Sequence, residues 1–346
     1  MLNPATLLLV LIVFTTVTTV LMVMAALPAD ALAEQRLWAQ GNVAASLGFV
    51  VVTANGDGII GTKAPLIMVL AFVPMYFIAV AYQELNKAEP DCGTTFTWAS
   101  RAFGPVTGWM GGWGIIAADV IVMANLAQIA GSYSFTFVGQ LGLPGVAELA
   151  DSTLWSTVAG LAWIAIMTYI CYRGIEISAR LQYVLLSIEV VVLLVFAGFA
   201  LTRVYTGTAE SYSLIPSLDW FNPFTLDFGS VIAPAMLIAI FIYWGWDTAV
   251  SVNEESDDPA KTPGRAAILS TVLLLATYGV VTVAAVAFAG VGTEGIGLGA
   301  EANSSDVFSA IGPALFGDSV IGHILLLLLA ASILTSASAS TQTTIL

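Results

Sequence analysis

The stretch FIYWGWDTAVSVNEESDDPAKTPGRA (241–266) decides how this chain is read. It closes an apolar run that begins near residue 229 and then gives way to a charged loop. Phe241, Tyr243, Trp244 and Trp246 crowd around Gly245, and Asp247 follows them. A plain lipid-facing helix has no need of that pattern. Glycine lowers the cost of leaving helical geometry, and a helix that breaks inside a membrane frees N–H and C=O groups to hold something polar. The competing reading is an ordinary helix end in an interfacial aromatic belt, because Trp and Tyr favour that depth.

The rest of the chain supports a membrane setting. Charged residues make up 9% of it and hydrophobic ones 58%, with a mean hydropathy of +0.93. That leaves too little polar surface to cover a core in water. Apolar runs recur at 5–26, 66–84, 106–136, 153–172, 181–202, 229–252, 266–290 and 320–346. Each approaches or exceeds the ~20 residues that cross a bilayer as a helix. A weaker ninth run, 43–61, is spoiled by Asn55 and Asp57. Segments this long predict helices rather than barrel strands.

The net charge is −14, and its distribution says more than its sum. No basic patch exists for nucleic acid. Lys87 and Arg101, Arg173 and Arg180, and Lys261 and Arg265 fall in three short loops, while 137–152 and 291–318 hold no Lys or Arg. Basic loops stay in the cytoplasm, so 85–105, 173–180 and 253–265 are expected inside. Cys92 and Cys171 fall on that same side, which gives no support to a disulfide framework.

The two ends are less regular. One early span over 5–26 puts the N-terminus inside and 27–65 outside; a second crossing at 43–61 reverses the first. ALA at 31–33 resembles a signal-peptide cleavage site, but no Lys or Arg precedes Arg36. The chain stops at Leu346 in an apolar, Ser/Thr-rich run, which reads as a truncated protein. The expected organisation is an atypical span and external loop over 1–65, followed by one transmembrane bundle over 66–346.

Several polar residues invite a role. Asp119 and Glu189 sit inside apolar runs. A charge there costs at least ~2.5 kcal/mol, so each acid is protonated, paired or facing water. Protonatable carboxylates that change partners are what proton coupling requires, and Asp247 joins them as a candidate. A plain buried acid bonded to a neighbouring helix is the alternative. TSASASTQTT (335–344) offers hydroxyls for close helix packing, or oxygen ligands for a Na⁺-like cation at Thr335 and Ser336. In PDCGTTFTWASRAFGP (90–105), Phe96, Trp98 and Phe103 predict a short segment lying at the interface. His323 is alone in an apolar run and reads as structural. There is no Ser–His–Asp set, no Walker loop and no metal-ligand spacing, so neither an enzyme, a metal site nor a cofactor is expected.

Two blocks carry a resemblance to a known family. AYQELNKAEPDCGTTFTWASRAFGP with TGWMGGWG (81–105 and 107–114) resembles the loop between the second and third helices of amino acid permeases of the amino acid–polyamine–organocation superfamily. FIYWGWDTAVSVNEESDDP (241–259) with PGRA (263–266) resembles the sixth helix of that family and the loop after it. RGIEISARLQ (173–182) and TSASASTQTTIL (335–346) fit as well, so the likeness covers about 66–346.

The resemblance implies an all-α, polytopic helix bundle of the leucine-transporter-like kind, a 5+5 inverted repeat whose second half is incomplete here. It implies a multi-pass protein of the cytoplasmic membrane that moves an amino acid by alternating access, coupled to H⁺ or Na⁺. Ile240, Phe241, Tyr243, Trp244 and Gly245 would line the substrate site. Some members use a lysine of the fifth helix for proton coupling; this chain has none there, and Glu189 stands in that helix instead. The small-residue break of the family's first helix is not evident in 1–65, where NVAASLGFVVV (42–52) resembles only its outer end. A polyamine or organic-amine permease and a transport-inactive fragment are the alternatives. A channel is a further class, but no repeated filter-like segment supports it.

Overall fold

A computed structural model describes residues 60–140, 143–173, 175–243, 245–300, 303 and 307–317. Helices α1 (Ala64–Ala88), α2 (Thr94–Phe103), α3 (Pro105–Gln140), α4 (Thr153–Tyr172) and α5 (Ile175–Tyr205) follow in order. After a long loop come α6 (Ala233–Ile242), the single turn α7 (Thr248–Ser251), α8 (Thr262–Ala289) and α9 (Val307–Phe316). No strand occurs among the described residues. Proline opens several of these helices: Pro65 and Pro263 sit in the first turns of α1 and α8, and α3 begins at Pro105. Its missing N–H is no loss there, because the first turn has no intrahelical acceptor to offer.

The apolar runs 66–84, 106–136, 153–172, 181–202 and 266–290 each become one helix, some longer than expected. The run 229–252 does not: it divides between α6 and α7. The expected spans 5–26 and 320–346, the weaker run 43–61, and His323 lie outside the described residues. Among those described, three stretches are by themselves long and apolar enough to cross a membrane: Gly61–Ala88, Thr153–Ile170 and Thr262–Ala289.

Helix α8 is the hub. It packs against α1 on one side and α5 on another, while α6 leans on α1. From Ala284 to Ala289 every α8 residue is buried, and four of those six are alanines, which let neighbouring backbones approach. Helix α5 offers it one face: Leu193, Phe196, Ala197, Ala200, Leu201 and Val204 recur at helical spacing, and all are buried.

Helices α3 and α4 form a hairpin. They touch backbone to backbone where Gly131 faces Ser156 and Gly160 faces Ala127, and a Cβ on either glycine would collide with the opposing carbonyl. Trp163 of α4 donates its Nε1–H to Ser134 Oγ of α3 at 2.8 Å. The outer surface of the pair is apolar and uncovered: Trp109, Trp113, Leu154, Leu161 and Tyr172 are all exposed. In water that patch would be a liability; lipid is the solvent that tolerates it.

Polar ties collect at the two ends of the bundle. At one end Lys63 Nζ donates to the Asp219 carboxylate at 2.7 Å, Ser213 Oγ donates to the Phe288 carbonyl, and Arg203 donates to the Ala314 carbonyl. At the other end, one length of α1 away, Asn86 meets Asn253 and Pro259, and Arg101 pairs with Glu89. Loops 85–105 and 253–265, expected from their charges on one side, therefore lie at one end. The expected interfacial segment is α2, which exposes Phe96 and Phe103 and buries Trp98.

Candidate functional site

Helix α6 stops at Ile242 and helical structure resumes only at Thr248. Between them Gly245 takes φ +104°, a backbone conformation that side chains with a Cβ rarely adopt. The interruption expected from FIYWGWD is therefore present. Its upstream part is irregular too: Phe228–Ile232 forms a π-helical turn, and Asp227 caps it by accepting from Ser230 N at 2.8 Å.

A helix that stops leaves its last carbonyls without donors of its own, and a membrane interior supplies no water to replace them. Tyr278 answers this directly, and Tyr243 ties the segment beyond the helix end to α1. Tyr278 of α8 donates its hydroxyl to the Ile242 carbonyl at 3.3 Å. Tyr243, fully buried, donates its own hydroxyl to the Met68 carbonyl of α1 at 3.1 Å. The two rings meet edge-on, with centroids 5.3 Å apart. Past the break, Trp246 is buried with its ring edge-on to Tyr82 at 5.0 Å. Tyr82 in turn stands edge-on to Trp98 of α2 and shares a 2.5 Å hydrogen bond with Thr95. An aromatic column thus runs from the break to α2. The indole N–H of Trp246 meets no acceptor among the described residues.

The residues singled out from the sequence fall as follows. Ile240 is half-buried and packs against the core, and Gly245 is buried at the turn itself. The Tyr243 ring is taken up in packing between α1 and α8, so at this site only its backbone remains for a ligand. Trp244 and the side chain of Phe241 lie outside the described residues. Asp247 is half-buried and opens α7, its carbonyl accepting from Val250 N and Ser251 N at 2.9 and 3.1 Å. Asp119 belongs to α3 and Glu189 to α5, with their side chains outside the described residues. Thr335 and Ser336 also lie outside them. Sequence reading missed Tyr278, Tyr82 and Met68. Each is one residue in an apolar run, and nothing local announces a contact with a segment so distant in the chain.

Taken together, this is an all-α helix bundle built for lipid, with one helix broken in its interior. A family profile described as amino acid permease matches residues 14–345. The branched-chain amino acid permease BcaP of Bacillus subtilis is 27% identical over 69% of this chain and 50% of its own length. The arginine/ornithine antiporter of Latilactobacillus sakei is 25% identical over 68% and 50%, and the low-affinity putrescine importer PlaP of Escherichia coli 24% over 66% and 48%. The chain spans about half the length of the curated relatives it matches. It belongs to the amino acid permease family, a family of transporters rather than enzymes, and is a multi-pass protein of the cell membrane.

Proposed function

We propose that this chain moves an amino acid across the cytoplasmic membrane as a secondary transporter, by alternating access within a leucine-transporter-like inverted repeat over 66–346. The observation that carries the reading is the break between Ile242 and Thr248. Peptide dipoles released there, in a site of low dielectric, are suited to a zwitterion: N–H groups meet the carboxylate and carbonyls meet the ammonium. The substrate lies against Ile240, Phe241, Trp244, Gly245 and the backbone of Tyr243. Aromatic faces beside it add cation–π attraction for the ammonium. The matches to branched-chain amino acid permeases and to an arginine/ornithine antiporter support this class of substrate.

Coupling falls to a proton carried by Glu189, Asp119 or Asp247. Glu189 is the first choice, because it occupies the helix in which some relatives place a coupling lysine. Thr335 and Ser336 provide the alternative, an oxygen-lined site for Na⁺. The test is uptake of labelled amino acids into proteoliposomes with and without a pH gradient, for the wild type and Glu189→Gln. Uptake by the wild type driven by the gradient, and uptake by Glu189→Gln indifferent to it, is the expected pair. Equal dependence in both discards Glu189, and no uptake of any amino acid discards the reading.

A polyamine or organic-amine permease is the second reading, favoured by the likeness to a putrescine importer and by the net charge of −14. Competition of amino acid uptake by putrescine separates the two.

A further inference from the structure

Tyr278 is 1% exposed, in the middle of the most enclosed helix of the bundle. Its hydroxyl reaches the carbonyl of Ile242, the last residue of α6, and its ring abuts that of Tyr243. Tyr243 continues the chain of contacts to the Met68 carbonyl, and Phe72 of α1 packs against the Tyr243 ring with centroids 6.3 Å apart. The end of α6 is therefore pinned from two sides, by α8 and by α1. Without a donor for the Ile242 carbonyl, the peptide groups just beyond it would be free to reclose into helix or to turn elsewhere.

We propose that Tyr278 is a positioning residue for the break. By capping Ile242 and bracing the Tyr243 ring, it holds the turn around Gly245 in the conformation that accepts substrate, while making no contact with substrate itself. For its effect on transport this rests on the permease reading; for its effect on the backbone it does not. A substrate that binds one conformation of the segment binds more weakly in proportion as that conformation is depopulated. Loss of the hydroxyl therefore raises KM and leaves the later steps alone.

Tyr278→Phe keeps the ring and deletes only the hydroxyl. Thr277→Val is the control: Thr277 is the preceding residue, also buried, but its hydroxyl closes on the Leu273 carbonyl of its own helix at 3.0 Å and does not touch the break. Both variants and the wild type are reconstituted as full chains in lipid nanodiscs, and hydrogen exchange is followed across 243–250. Exchange there is expected to quicken about fivefold in Tyr278→Phe, the ratio that one buried hydrogen bond sets, with α1 unchanged and Thr277→Val behaving as wild type. Uptake of leucine, arginine and putrescine is then measured in proteoliposomes. For whichever is carried, KM rises about fivefold in Tyr278→Phe while Vmax stays within about twofold. Unchanged exchange at 243–250, equal quickening in both variants, or a fall in Vmax with KM intact overturns the proposal. If the wild type carries none of the three, the permease reading is what fails, and the exchange result still decides the role of Tyr278.

Discussion

Asn253 donates its side-chain amide to Asn86 Oδ1 at 2.7 Å, and both residues are wholly buried. Asn86 passes the interaction on, donating to the Pro259 carbonyl at 2.7 Å. The turn that follows the broken helix, the loop after it, and the end of α1 are thereby held as one piece. An unpaired buried amide N–H costs free energy, so these two donated bonds help to fix the geometry of this end of the bundle, although the Asn253 Oδ1 meets no donor among the described residues.

Removing both partners should therefore cost less than the sum of removing each alone. Asn86→Ala strands the Asn253 amide and the Pro259 carbonyl, at about 1–3 kcal/mol for each buried group left unmet. The double variant with Asn253→Ala should be destabilised by less than the sum of the two single changes. Thermal unfolding of the four proteins in one detergent checks this.

Gly245 allows a conformation that any other residue resists. Gly245→Ala should destabilise the protein by about 1–3 kcal/mol and weaken uptake at the same time, because the strain falls on the segment assigned to substrate. Unfolding and uptake assayed side by side test both halves.

At the opposite end, the hydrogen bond from Lys63 holds the Asp219 carboxyl below the ordinary carboxylate range. A lowered value in the folded state means that the tie contributes above the ordinary value and is lost as the pH falls through the folded one. The stability difference between the wild type and Asp219→Asn should thus persist from pH 5 to 7 and fade below about pH 4. Unfolding temperatures across that range are the measurement.

Cys92 is exposed, yet partial desolvation, the Glu254 side chain and the charge of Asp91 push its thiol above the usual range. Maleimide should label it slowly at pH 7 and faster as the pH rises. Glu254→Gln should speed labelling about two- to threefold at fixed pH, since thiolate is the reacting species and its fraction changes tenfold per pKa unit.

Much of this fold was legible because lipid constrains it so tightly. Runs such as 153–172 and 266–290 had no alternative to helix, and loops 85–105 and 253–265, expected on one side, do meet where Asn86 bonds Asn253 and Pro259. The break was legible for a local reason: Gly245 among bulky aromatics conflicts with a lipid-facing helix. What closes the break was not. The resemblance names Tyr243 as a lining residue, but that its hydroxyl reaches the Met68 carbonyl of α1 had no local sign, and Tyr278 arrives from a helix made mostly of Val, Leu, Ala and Thr. Such partners are chosen by packing between distant segments, which no short window encodes. The close approach of α3 and α4 was not legible, because whether Gly131 and Gly160 face the other helix depends on the crossing.

The central claim is that the sixth apolar run is discontinuous, and a cryo-electron microscopy map of the chain in lipid nanodiscs tests it most directly. Helix ending at Ile242, resuming at Thr248, with Gly245 at positive φ and the Tyr278 hydroxyl on the Ile242 carbonyl, is the predicted result. Unbroken helix from Ala233 through Ser251 would contradict it.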